Sequence, residues 1–331
     1  MGIVSAMDEV SSGRVGVREV ARAAGVSTQT VSRVINDHPN IRPETRARVL
    51  DAMASLGYRV NNAARALGTR TTRTLGVIAS DATLYGPSVG IAALETAARE
   101  SGRWIATAYA DAASEASVIA AADRLLAQGV DGIIVLAPHV ATFAALENSR
   151  AGIPVEALHA GVGADRQREG GALAAEHLIA LGHGRIARLS GPNDWLEAIA
   201  RDEGVSTAIS AAELVPGPVW RGDWSAASGD AIAPAVADAI RSGITAVVVA
   251  NDQMALGLVA GLRERALAVP HDVSVVGFDD NPDAAFYAPS LTTVRLDFAG
   301  EARRAVAAVL GADEPIVDAP ELVPRSSTAP R

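Results

Sequence analysis

Two polar pairs follow apolar runs in the second half of the chain. Asn251 and Asp252 follow AVVVA, and Asp279 and Asp280 follow VSVVGF. Arg201 lies on the helical stretch after GPNDW, and Trp224 sits in GDWSAASG. Carboxylates and an amide accept and donate hydrogen bonds in pairs, and a guanidinium donates as a fork. An indole can cover the apolar face of a pyranose. The set suits vicinal hydroxyls, so the chemistry is binding. Taken singly, each aspartate also fits a helix N-cap, Asp252 above all. A second set lies in TQTVSRVIN, where Thr28, Gln29, Ser32, Arg33 and Asn36 share one helical face. Gln pairs with an adenine edge, Arg with guanine, and Ser or Thr with phosphate or either base.

Catalytic chemistry has less to work with. The chain has no cysteine, which excludes disulfides, thiolate metal sites and thiol nucleophiles. Its six histidines (38, 139, 159, 177, 183 and 271) show no metal-ligand spacing. His177 and His183, in EHLIALGH, read as surface or helix-end residues. There is no G-x-G-x-x-G or G-x-x-x-x-G-K-[ST] motif. The expectation is a binding protein that uses no cofactor or metal and is not an enzyme.

Elements must bring these side chains together. The runs TLGVIAS, WIATAYA, DGIIVLA, IPVEALH, RIARLSG, AVVVAND and VSVVGFDD alternate with helical stretches near 88–102, 115–128, 194–205, 229–242 and 252–266. Val/Ile runs between amphipathic helices predict parallel strands covered on both faces. Two such sets predict an α/β body of two doubly wound parallel-sheet lobes, with a cleft at the strands' carboxyl ends.

Ahead of this body, VREVARAA places Val17, Val20, Ala21 and Ala24 on one stripe, and Gly25 stops the helix. Ser27 can cap a second helix whose Val31, Val34 and Ile35 face inward. A third helix is predicted over residues 43–56, with Val49, Met53 and Leu56 closing a small core. The pattern is a helix-turn-helix, although an ordinary three-helix packing module shares it.

Charge divides at the same place. All 29 basic residues are arginine; residues 1–73 carry a net +5 and residues 74–331 a net −14, giving −9 overall. A basic head on an acidic body is what a nucleic-acid-binding module fused to another function shows. At 331 residues, two or three domains are expected. MGIVSAMDEV is no secretory leader, and no apolar run approaches the ~20 residues of a membrane span. A cytoplasmic protein without membrane contact is expected.

VREVARAAGVSTQTVSRVIN, RPETRARVLDAMASLGY and NNAARAL resemble the N-terminal domain of the LacI/GalR family of bacterial transcription repressors. GDWSAASG, VVVANDQMALG, DVSVVGFDD and YAPSLTTVRLDF resemble its lac repressor branch, so the likeness runs from Gly16 to about Thr328. It implies a periplasmic-binding-protein-like body and a repressor that binds a palindromic operator in double-stranded DNA as a homodimer. The effector it implies is a small sugar, of galactoside type. A purine or nucleoside effector and a sugar-binding transport protein are the alternatives. By the resemblance Thr28 and Gln29 set base preference and Arg33 adds a base contact, while Ser27, Thr30 and Ser32 meet phosphate.

Residues 61–68, beginning at Asn61, match the family's hinge helix. Leu67 is the wedge driven into the central base step, with Ala64 packing beside it, although a leucine there can also cap a domain interface. The same resemblance implies that in the pocket Arg201, Asn251 and Asp279 hydrogen-bond effector hydroxyls and Trp224 stacks on the sugar. Ser80, Leu84 and Phe298 line the other wall. The implied domains are a tail (1–14), a helix-turn-helix domain (15–60), a hinge and linker (61–73) and an effector-binding and dimerisation domain (74–331). Its N-lobe takes about 74–160 and 292–312, and its C-lobe about 161–291 and 313–331. The tail GADEPIVDAPELVPRSSTAPR has no leucine heptad, which favours a dimer over a tetramer.

The chain departs from the family pattern at Val60, where proline is usual, and at Arg42, where a capping serine is common. In the pocket, His159 replaces an aspartate, Leu296 a glutamine and Trp195 a small residue, and the segment between His159 and Gly170 is shorter than in relatives.

Overall fold

Val20, Ala21, Ala24, Val31, Val34, Val49 and Ala52 form the small core of the first of two compact units, Met1–Thr72. The computed structural model describes residues 15–36, 38–59, 71–80, 83–111, 114–136, 139, 143, 144, 146, 152–159 and 162–331. Helix α1 spans Val17–Ala24, and the Glu19 carboxylate reaches back to accept from Gly16 N at 2.9 Å. Gly25 ends it at φ 64°, a conformation that costs a side chain but not glycine. Helix α2 (Thr28–Ile35) is capped by Ser27, whose Oγ accepts from Thr30 N at 3.1 Å. Helix α3 (Pro43–Ser55) has proline at its first turn, where no N–H is required.

The second unit, Arg73–Arg331, contains two parallel sheets. The first sheet comprises β1 (Thr74–Ala79), β2 (Trp104–Tyr109), β3 (Gly132–Val135) and β4 (Val155–Ala157), in the order β2-β1-β3-β4. Helices α4 (Tyr85–Glu100) and α5 (Glu115–Ala127) connect its strands. Helix α6 (Val162–Ala180) leads into the second sheet, built from β5 (Ile186–Ser190), β6 (Val219–Arg221), β7 (Ala246–Val249) and β8 (Ser274–Val276). Its order is β6-β5-β7-β8, with connecting helices α7 (Leu196–Ala211), α8 (Ala226–Arg241) and α9 (Asp252–Glu264). Every pairing within these two sheets is parallel, as continuous buried runs such as Ala246–Val249 require.

The chain then returns. Strand β9 (Thr293–Arg295) packs on α6, and α10 (Phe298–Leu310) packs on α4, β3 and β4 of the first lobe. The crossing therefore lies after Arg295, later than residue 292, because Thr293 Oγ1 donates to Asp252 Oδ1 at 2.6 Å in the second lobe. Strand β10 (Glu321–Val323) pairs antiparallel with β9.

The last residues are stitched to the second lobe. Ser327 Oγ donates to Val275 O, and Arg331 N donates to Leu181 O. His183, read above as a surface or helix-end residue, is buried in the turn after α6. Its Nδ1 lies 2.9 Å from Thr245 Oγ1 and its Nε2 3.1 Å from Ala329 O. His177 Nε2 lies 3.0 Å from Thr328 Oγ1. The two histidines fasten the C-terminal segment.

Glycines set the closest helix contacts. A Cβ on Gly204 would lie 1.9 Å from Arg168 O, and one on Gly171 2.2 Å from Arg201 O, so α6 and α7 touch backbone to backbone. Gly229 and Gly257 do the same for α8 and α9, where a Cβ would lie 2.0 Å from Met254 O and 1.7 Å from Ala226 O.

Candidate functional site

The carboxyl ends of the strands in both sheets converge on one cavity in the second unit. From the first lobe come Leu84, which precedes α4, then Leu136 after β3, His159 after β4 and Phe298 at the start of α10. From the second come Trp195, Glu197 and Arg201 at the start of α7, Trp224 after β6, Asn251 after β7 and Asp279 after β8. This is where doubly wound sheets place ligands. The cavity has a volume of about 40 Å³.

Arg201 is the centre of its polar wall. Its Nε donates to Gln167 Oε1 at 2.7 Å and its Nη1 to Ala250 O at 2.5 Å, while its guanidinium carbon lies 3.9 Å above the Phe278 ring. Nη2 approaches Asp279 Oδ1 at 3.1 Å as an ion pair without a well-formed hydrogen bond. That buried oxygen therefore has no donor. Burial pushes the Asp279 carboxyl up to about 6, with Arg201 pulling it down.

Trp224 has φ 75° and Asp279 φ 104°, left-handed backbone that costs about 1–3 kcal/mol per non-glycine residue. Its placement beside the Arg201–Asp279 pair makes the strain part of how the site is held. Gly191 gives the Trp224 ring room, since a Cβ there would lie 2.4 Å from it. Trp195 packs edge-on against Trp224 at 5.5 Å, and His139 covers Trp195 at 4.9 Å while its Nδ1 contacts Asp194 Oδ2 at 2.9 Å. Phe298 closes the opposite side against Tyr85 and His159.

Leu84, Arg201, Trp224, Asn251, Asp279 and Phe298 thus share one cavity, whereas Ser80, just after β1, lies outside its lining. Asn251 is the N-cap of α9: its Oδ1 accepts from Met254 N at 2.9 Å and its Nδ2 donates to Trp224 O at 3.0 Å. The cap expected of Asp252 therefore belongs to its neighbour. Asp252 accepts instead from Thr293 Oγ1 and, at 2.7 Å, from Asn281 N. Asp280 turns away from the cavity to Arg295 and Arg325, at 2.7 and 2.6 Å. Glu197 and Leu136 were not anticipated. Glu197 stands one turn before Arg201 on the same helix, a spacing that could have revealed it.

Asp252 makes the body's stability depend on pH. Burial and the neighbouring Asp279 push its carboxyl up to about 8, against hydrogen bonds that favour the ionised form. The unfolded chain ionises near 3.9, so between about pH 4 and 8 the folded state holds a proton the unfolded state has released. Stability falls as pH rises through that window, by at most about 1.4 kcal/mol per pH unit. Asp252→Asn is expected to gain thermal stability relative to the parent between pH 5 and pH 8. Parallel changes in melting temperature for both proteins would contradict this.

In the first unit, Ser27, Thr28, Gln29, Ser32 and Arg33 are exposed on and before α2, and Thr30 and Asn36 are half-buried. The α2 face opposite the core is free to enter a groove. Asn61, Ala64 and Leu67 lie outside the described residues.

Residues 17–61 match the bacterial regulatory proteins of the lacI family, and residues 175–328 match the periplasmic binding protein-like domain. The lactose operon repressor of Escherichia coli (strain K12) is 37% identical over 295 residues, covering 85% of this chain and 79% of that protein. The chain belongs to the LacI family of bacterial regulators. The HTH-type transcriptional repressor PurR of Vibrio atlanticus (strain LGP32) is 32% identical over 84% of this chain and 86% of that protein. Among solved structures, the lac repressor dimer bound to operator and the anti-inducer ONPF superposes with a TM-score of 0.76 at 32% identity, covering 96% of this chain and 100% of that one. The transcriptional regulator CelR–cellobiose complex gives 0.67 at 30% identity, covering 95% and 100%. The LacI-family chain is accordingly an effector-responsive, DNA-binding repressor with an N-terminal helix-turn-helix and a two-lobed, periplasmic-binding-protein-like body. Among the described residues no group of side chains could hold a metal ion, and no helix is long and apolar enough to cross a membrane.

Proposed function

We infer that this repressor binds a palindromic operator as a homodimer and changes operator affinity when a small sugar enters the cleft. The observation that carries the sugar reading is the Trp224 indole beside the Arg201–Asp279 pair, which combines a ring platform with hydroxyl-binding groups. Relatives support it: one represses the lactose operon, and another is a regulator in complex with cellobiose. A galactoside is the finer proposal within this class. The PurR relatives favour a purine as the second reading.

On the DNA side, Gln29, Thr28 and Arg33 are assigned to base edges, and Ser27, Thr30 and Ser32 to phosphate, with Asn36 at the end of the reading helix. Residues 61–73 act as hinge and linker, with Asn61 opening the hinge helix and Ala64 flanking the Leu67 wedge. Eight residues cannot hold a helix alone in water, so the hinge folds when two copies pair over the minor groove. A ligand that favours the lobe arrangement incompatible with that pairing lowers operator affinity, with coupling of about 1–3 kcal/mol.

The test is a gel shift on a palindrome from the gene's own upstream region, repeated with sugars and with purines. A sugar is expected to change the shift; a response to purines alone selects the second reading. Leu67→Ala is expected to weaken specific operator binding while sparing effector affinity. Unchanged operator affinity would sink the wedge.

A further inference from the structure

Among the described residues, four buried polar atoms of the cavity lining have no hydrogen-bond partner: Asp279 Oδ1, Trp224 Nε1, His159 Nδ1 and Glu197 Oε2. The first two suit a polyol. Glu197 introduces a charge that a polyol does not answer. It is buried, and no cation lies within ion-pair distance of it among the described residues. Arg201, the cavity's one guanidinium among the described lining residues, is already committed to Gln167, Ala250 O and Asp279. His159 cannot serve, because burial, with Arg201 and Arg304 nearby, pushes its imidazole down to about 3 and keeps it neutral.

We propose that Glu197 reads a basic nitrogen on the effector, so that the preferred ligand is an amino sugar whose ammonium meets the Glu197 carboxylate while its hydroxyls meet Asp279 and Arg201. This rests on the sugar reading above. A buried carboxylate without a counter-charge is costly, and Glu197 meets that cost by holding a proton near neutrality. Burial pushes it up to about 7, and Asp279 adds to the push against its own backbone N–H and Arg201. With Arg201 balanced by Asp279, an ammonium brings the ionised cavity to neutrality and supplies a charge-assisted hydrogen bond. A hydroxyl in the same place leaves Glu197 its proton and forgoes the charge-assisted bond.

The test is titration calorimetry on the full-length repressor with D-galactosamine against D-galactose, and D-glucosamine against D-glucose. One amino sugar is expected to bind about tenfold tighter than its neutral parent, the contribution of one charge-assisted hydrogen bond. In Glu197→Gln the ratio of amino-sugar to neutral-sugar affinity should collapse to within about twofold. Glu197→Ser, with a smaller side chain, provides the same comparison if the glutamine variant does not fold. Neutral sugars binding as tightly as amino sugars would overturn this inference and leave the sugar reading intact. A preference that survives both variants would trace it to the chain's overall negative charge and also overturn it. If no sugar binds while the protein still shifts its operator, both readings fall.

Discussion

Asp279→Ala is expected to abolish the effector response while leaving operator binding intact. The side chain contributes a buried acceptor without a donor at Oδ1 and the counter-charge to Arg201 Nη2. A hydrogen bond to a charged group contributes about 1.5–3 kcal/mol, so its loss alone weakens the ligand by about tenfold to a hundredfold. Arg201 would then stay buried beside the Phe278 ring without its carboxylate, and breaking a buried pair in this way costs about 3–5 kcal/mol. Two readouts separate these effects: effector affinity from quenching of tryptophan fluorescence, and operator affinity without effector. Asp279→Asn, which retains an acceptor, should fall between alanine and the parent. An alanine variant that binds effector within about threefold of the parent would remove Asp279 from the pocket.

Gly257→Ala is expected to cause a comparable loss through packing alone. The new methyl would lie 1.7 Å from Ala226 O, and backbone cannot yield as a flexible side chain can. Overpacking of this kind costs about 1–3 kcal/mol and more where the neighbour cannot move. Helices α8 and α9 follow Trp224 and Asn251 directly, so separating them also displaces two cavity residues. Thermal unfolding and effector titration should both register the change, with operator contacts in the separate first unit unaffected. A loss of stability below about 0.5 kcal/mol would show that the two helices can part freely.

Much of this was legible in the amino-acid order because it follows local rules. Val/Ile runs between helical stretches specified parallel strands, and polar residues directly after them had to gather where strands end. The turn around Gly25 and the Ser27 cap were likewise written in a few consecutive residues. What escaped depends on distant partners. Asp252 reads as the cap until Thr293, 41 positions later in the chain, engages it and the cap falls to Asn251. Glu197 reads as an ordinary helix-surface acid until the fold buries it in the cavity wall. His183 looks like a solvent-facing turn residue until the C-terminal segment folds over it and takes its Nε2. Ser80 follows the right strand end but lies outside the lining.

The glycine contacts between helices also constrain how such a protein can diverge. At Gly171, Gly204, Gly229 and Gly257 any side chain collides with main chain, so the second lobe's helix spacing leaves those positions no freedom to drift. Glu197, His159 and Trp195 line the cavity instead, and exchanging one changes the wall rather than the helix spacing. A lineage built on this frame can change its ligand by single substitutions in the cavity wall, while the lever that carries the ligand's effect toward DNA is inherited unaltered.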